Sequence, residues 1–145
     1  MQNSFDLLRN ALVDVAAGID ALFDRLLAVP QDPRARLYEA MRHATIGGGK
    51  RLRPLLVCAA ADLFHVDRQL SLRVGAAVEA MHVYSLIHDD LPCMDDDDLR
   101  RGKPTVHKAF DEATAVLAGD SLHALAFEWL IDPATHADPF VRSEL

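Results

Sequence analysis

A chain of 145 residues, half of them hydrophobic, has enough apolar material for one core and one domain, and its composition excludes a disordered segment. The formal charge is −7, and six aspartates fall in the ten residues from Asp89 to Asp98, so the acidity is local and points to a site. Basic residues are scattered and outnumbered, which gives no footing for nucleic-acid binding; no run reaches the ~18 uninterrupted apolar residues of a membrane span, and Asp6, Asp14, Asp20 and Asp24 interrupt the apolar runs that a signal peptide would need.

The pattern is helical almost throughout. Phe5, Leu8, Leu12, Val15, Ile19, Leu22, Leu26 and Val29 recur at three- and four-residue steps, one face of a long helix that Pro30 and Pro33 close. Leu37, Ala40, Met41 and Ala44 continue the period up to Gly47-Gly48-Gly49, which breaks it. Pro54 suits the first position of the next helix, which carries Leu55, Leu56, Val57, Ala60 and Leu63. The segment from Gln69 to Leu91 is apolar nearly all round, the mark of a helix buried in a bundle, and Pro92 ends it. A polar loop from Asp95 to Thr105 precedes a helix over Ala113–Ile131, with Asp111 or Thr114 as its cap. The tail from Asp132 shows little periodicity, and no strand is predicted. Cys58 and Cys93 have neither pairing nor ligand spacing and read as reduced thiols in a cytoplasmic protein. The class is all-α, an antiparallel helical bundle in a single domain over residues 1–145.

Polar groups interrupt the buried helix on one side. With Asp89 at zero on a helical wheel, His82 falls at about 20°, Ser85 at about −40° and Glu79 at about 80°. A polar stripe on a buried helix is expected to face a water- or ligand-filled cavity, with a hydrogen-bonded core network as the alternative. At its end stand Asp89 and Asp90, with Asp95 six positions after the first, a carboxylate cluster suited to hard cations; Mg²⁺ uses one or two protein carboxylates together with substrate phosphates. Pro92 is expected to bend the chain and return Asp95 toward Asp89. Arg100-Arg101-Gly102-Lys103 follows at once, and carboxylates holding Mg²⁺ beside guanidinium groups make a site for a diphosphate. A second cationic site lies at Gly47–Pro54, where a glycine loop carrying Lys50 and Arg53 meets a helix N-terminus. It is not a Walker A loop, because Ala44 and Arg51 occupy the places of Gly and Ser or Thr. An EF-hand fails too, with Arg100 where glycine is needed.

Taken together, Gly48–Pro54, Glu79–Asp90 (EAMHVYSLIHDD), Leu91–Thr105 (LPCMDDDDLRRGKPT) and Ala118-Gly119-Asp120 resemble the trans-isoprenyl diphosphate synthase (polyprenyl synthase) family, closest to bacterial farnesyl and geranyl diphosphate synthases. The resemblance spans about residues 45 to 130, the N-terminal half of such a synthase. It implies an isoprenoid-synthase bundle, truncated here, and the condensation of isopentenyl diphosphate with an allylic diphosphate in isoprenoid biosynthesis. Asp89 and Asp95 would hold Mg²⁺ on the allylic diphosphate, with Asp90 in a less direct catalytic role. Arg100 would contact the allylic diphosphate, and Lys50, Arg53, His82 and Arg101 would bind isopentenyl diphosphate without metal. Tyr84, five residues before Asp89, would floor the chain cavity and favour a fifteen-carbon product, farnesyl diphosphate, with ten carbons the alternative. The full-length form is expected to be a cytoplasmic homodimer.

The chain departs from that family at Leu145, where no second acidic cluster has appeared, so little or no turnover is expected of it alone. The alternative is a non-catalytic diphosphate- and Mg²⁺-binding subunit that partners a full-length synthase. A terpene cyclase would have no use for the isopentenyl site. The hydrolase-like Gly119-Asp120-Ser121-Leu122 lies inside a helical run with no Asp and His pair placed to complete a triad, so Ser121 reads as a small packing residue.

Overall fold

The computed structural model describes residues 3–145. Helix α1 (Ser4–Leu26) starts at Asn3, whose side chain accepts the Phe5 N–H. Only its second half enters the core, through Val15, Ile19, Leu22 and Phe23. The apolar face expected from Phe5 onward is corrected here: Phe5 is 79% exposed and Leu8 is exposed as well. Helix α2 (Ala35–Thr45) buries Ala40, Met41 and Thr45. Arg42 ties it to α1, donating to the Asp24 carbonyl at 3.1 Å and to the Asp24 carboxylate at 2.5 Å.

The three glycines break the chain as expected, and α3 spans Leu52–Leu63. Pro54 occupies its third position instead of its first, still within the turn whose N–H groups have no intrahelical partner. Helix α4 (Arg68–Asp89) is capped by Asp67, which accepts the N–H groups of Gln69 and Leu70. It is the centre of the molecule, packed against α3 on one side and α6 on the other. Gly75 makes the α3 contact possible: a Cβ there would lie 3.3 Å from the Pro54 backbone. As expected, the helix stops before Pro92.

The polar loop contains two elements the sequence pattern does not predict. A two-residue hairpin pairs β1 (Leu99–Arg100) with β2 (Lys103–Pro104), and α5 (Val106–Ala109) follows. Helix α6 (Glu112–Ile131) begins at Asp111, whose carboxylate accepts the Thr114 N–H at 2.7 Å. That N–H and then Arg36 hold the Asp111 carboxyl down at about 2. Phe23 of α1 and Trp129 of α6 meet with ring centroids 6.0 Å apart. The tail forms a short α7 (Pro139–Glu144), also unpredicted. Cys58 is buried, Cys93 is exposed, and both are free. Among the described residues no helix is long and apolar enough to cross a membrane.

Candidate functional site

Lys50, Arg53, His82 and Arg101 line one cavity of about 450 Å³. They come from three separate places: the glycine loop with the first turn of α3, the middle of α4, and the tip of the hairpin. At that tip Arg101 and Gly102 have φ of 54° and 78°, the pattern of a type I′ turn, which is strained for a residue with a Cβ. The hairpin is held against the end of α2: His43 Nε2 lies 2.8 Å from the Pro104 carbonyl, and Lys103 donates to the Ile46 carbonyl at 3.4 Å. Arg101 then lies directly over Gly49, where a Cβ would fall 2.4 Å from its Nη1. That glycine, at φ 88°, serves both the turn and the close approach. Burial pushes the His82 imidazole below its ordinary value, and Arg53, Arg101 and Arg100 push it further against the opposing pull of Glu79. His82 is therefore a neutral hydrogen-bonding group on an otherwise cationic wall.

The polar stripe of α4 divides. Ser85 turns back and donates to the His82 carbonyl at 2.8 Å. Glu79 is 2% exposed and closed in an ion pair with Arg51 at 2.9 Å, so at its end of the stripe the cavity is bordered by a buried ion-pair network. Arg51 had no predicted role. Its partners lie 28 and 31 positions away, at Glu79 and Asp20, and no local pattern announces them.

The turn after α4 brings Asp95 back, its N–H donating to the Asp89 carbonyl at 2.8 Å. The acidic run is not uniform. Asp90 is 3% exposed, and its two oxygens take Arg100 Nε at 2.8 and 2.9 Å and Nη2 at 2.5 Å. Asp97 also faces Arg100, at 3.5 Å, and Asp98 pairs with Lys108 at 2.7 Å. Asp89, Asp95 and Asp96 have no cation within ion-pair distance among the described residues. Arg100 keeps its Nη1 without a partner among them.

Among the described residues no three His, Cys, Asp or Glu side chains form a metal cage. Two unpaired carboxylates joined through one turn are the kind of donor set that Mg²⁺ completes with phosphate oxygens and water. Asp89 and Asp95 fit that ion; Asp90 is instead engaged by Arg100.

A second cavity of about 450 Å³ opens between α4 and α6, lined by Met81, Tyr84, Ser85, Phe127 and Leu130 among others. The Tyr84 ring stands edge-on to His88 and His123, with centroids 5.1 and 5.0 Å away. His123 escaped the sequence reading, being one apolar-run histidine among many core positions. Ser121 lies within α6, consistent with a packing residue. Beside it, Gly119 admits the His88 ring, whose Nε2 would meet an added Cβ at 2.2 Å.

Comparison with known proteins places this geometry. Residues 34–139 match the family model of polyprenyl synthetases. Geranylgeranyl pyrophosphate synthase 4 of Arabidopsis thaliana is 44% identical over 140 residues, 97% of this chain and 37% of that protein. The farnesyl diphosphate synthase of Bacillus subtilis is 59% identical over 108 residues, 74% and 36% of the two chains. The crystal structure of an FPP/GFPP synthase from Zymomonas mobilis superposes with a TM-score of 0.93 at 66% identity, covering 94% of this chain and 49% of that one. The chain thus spans between about a third and a half of the length of these relatives. The residues from α2 to the start of α7, with the glycine loop, the aspartate turn and the arginine hairpin among them, belong to the matched region, and the chain is a member of the polyprenyl synthetase family.

Proposed function

We propose that this chain is the N-terminal portion of a polyprenyl synthase domain and supplies the diphosphate-binding walls of a trans-prenyltransferase that joins isopentenyl diphosphate to an allylic diphosphate. The observation that carries the reading is the convergence of Lys50, Arg53, His82 and Arg101 on one cavity from three distant segments. Three permanent cations and one neutral imidazole bind a diphosphate without metal. Asp89 and Asp95 would hold Mg²⁺ against a second, allylic diphosphate, and that ion when bound neutralises charge on the leaving group. Arg100, fixed by Asp90, adds a donor aimed at the same phosphate oxygens. In the reaction the allylic C–O bond breaks, the isopentenyl double bond supplies the electron pair of the new C–C bond, and a proton leaves. Tyr84, held between His88 and His123, closes one side of the α4–α6 cavity and favours a fifteen-carbon product, with ten carbons the alternative. The full-length form would be a cytoplasmic homodimer.

The test is a binding and turnover assay of the chain with Mg²⁺, radiolabelled isopentenyl diphosphate and an allylic diphosphate. Mg²⁺-dependent allylic binding that Asp89→Ala abolishes, beside metal-independent isopentenyl binding that it spares, is the expected result. Loss of both ligands in Asp89→Ala, with the fold intact, would sink the assignment of two separate sites. Turnover by the chain alone would show that the residues present suffice for chemistry; binding without turnover fits walls that need the rest of the synthase.

A further inference from the structure

Arg51 sits between two residues of the proposed anion site and borders the same cavity, but its guanidinium is taken up by the protein. The Arg51 side chain is 1% exposed and is the largest fully buried one of the described residues. Nη1 donates to Glu79 on α4 at 2.9 Å, and Nη2 donates to Asp20 on α1 at 2.6 Å and to the Thr45 carbonyl at the end of α2. The Asp20 carboxylate also accepts the Gly47 N–H at 3.3 Å, so one carboxylate grips both ends of the glycine loop. The Arg51 backbone is left-handed, with φ of 50°, a conformation that a residue with a Cβ keeps only where its surroundings impose it. With that twist the Arg51 side chain is buried against α1 and α4, beside its neighbours Lys50 and Arg53 on the cavity lining.

We propose that Asp20, Arg51 and Glu79 are positioning residues for anion binding: the buried guanidinium fastens the glycine loop to α1 and α4 and so holds Lys50 and Arg53 over the cavity that His82 and Arg101 close. The proposal rests on reading that cavity as a diphosphate site. It has a sign that electrostatics alone would not produce. Asp20 stands on α1, outside the cavity wall, and removing its negative charge should by Coulomb's law favour a bound anion. If Asp20 works by anchoring the loop, its removal weakens the anion instead.

The experiment is calorimetric titration of the chain with inorganic diphosphate, without metal, at physiological salt. Wild type, Asp20→Ala and the isosteric Asp20→Asn are compared at a temperature well below each melting point. The expected result is a Kd raised about tenfold in Asp20→Ala and raised less in Asp20→Asn, with stoichiometry unchanged. A merely stabilising role would lower the melting temperature or the stoichiometry and leave Kd alone. An unchanged or tighter Kd in both variants overturns the positioning role while leaving the diphosphate site standing. No binding by the wild type overturns the site, and the positioning role with it.

Discussion

Replacing Gly119 by alanine tests the packing of α4 on α6. In the interior of a helix, alanine is favoured over glycine by about 1 kcal/mol, so the change would ordinarily stabilise. Here the new Cβ would lie 2.2 Å from Nε2 of His88, 2.5 Å from Cδ2 and 3.0 Å from Cε1. A ring cannot give way as the tip of a flexible chain does, so His88 must swing out. It would lose its hydrogen bond to the Val116 carbonyl, 3.0 Å long and worth about 1 kcal/mol. It would also lose its edge contact with Tyr84, worth about 0.5–1.5 kcal/mol. Overpacking of a tight seam adds about 1–3 kcal/mol. Set against the propensity gain, the net effect is destabilisation by about 2 kcal/mol, or roughly 6 °C in melting temperature for a chain of this size. In a His88→Ala background the obstacle is gone, and the same substitution should raise stability by about 1 kcal/mol. Urea and thermal unfolding of the four proteins, followed by far-ultraviolet circular dichroism, give the cycle. A Gly119→Ala single variant that melts higher than wild type would refute the reasoning.

Asp90→Ala should cost about 2–3 kcal/mol, because it removes a buried charge-assisted pair and releases Arg100; an unchanged urea midpoint would show that the pair contributes nothing. Proton NMR of His82 should give a titration midpoint below 6.5, moving upward when inorganic diphosphate is added, since an anion favours the imidazolium; a midpoint at or above 6.5 in the free chain contradicts the cationic wall. The same shift has a stability sign. The folded state binds fewer protons than the unfolded one between the lowered value and 6.5, so His82 makes the fold weaker as pH falls through that window, and the loss is complete below the folded value. Comparing the pH profile of stability for wild type and His82→Gln isolates that contribution; identical slopes would contradict it.

Much of the fold was legible because its signals are local. Helical periodicity, the glycine triplet, Pro92 and the Asp111 cap each act within a few residues, and each helix longer than ten residues was anticipated. Periodicity announces an apolar face but not what covers it, which is why the exposed start of α1 read as core. The hairpin escaped because two-residue strands carry no alternating pattern, and Arg101 is a poor announcer of a positive φ. Of the site, the cations and carboxylates were named from motif and resemblance. Their hydrogen-bond and ion-pair partners were not, because these lie farther along the chain. Nothing near Glu79 signals that its carboxylate belongs to Arg51, and nothing near Asp90 signals that its carboxylate is taken by Arg100.

The cavity over Gly49 has no wall that exists before the chain is folded. Its boundaries come from residues 49–53, 79, 82 and 101, and the last of these is delivered by the turn of the docked hairpin. An unfolded chain therefore offers a polyanion scattered cations and no enclosure. Any anion that occupies the cavity is selective for the native state, and its free energy of binding adds to the cohesion of three segments that share no covalent neighbourhood. At a free ligand concentration one hundred times Kd, that linkage amounts to about 2.7 kcal/mol, a sizeable fraction of what holds together a domain of this length.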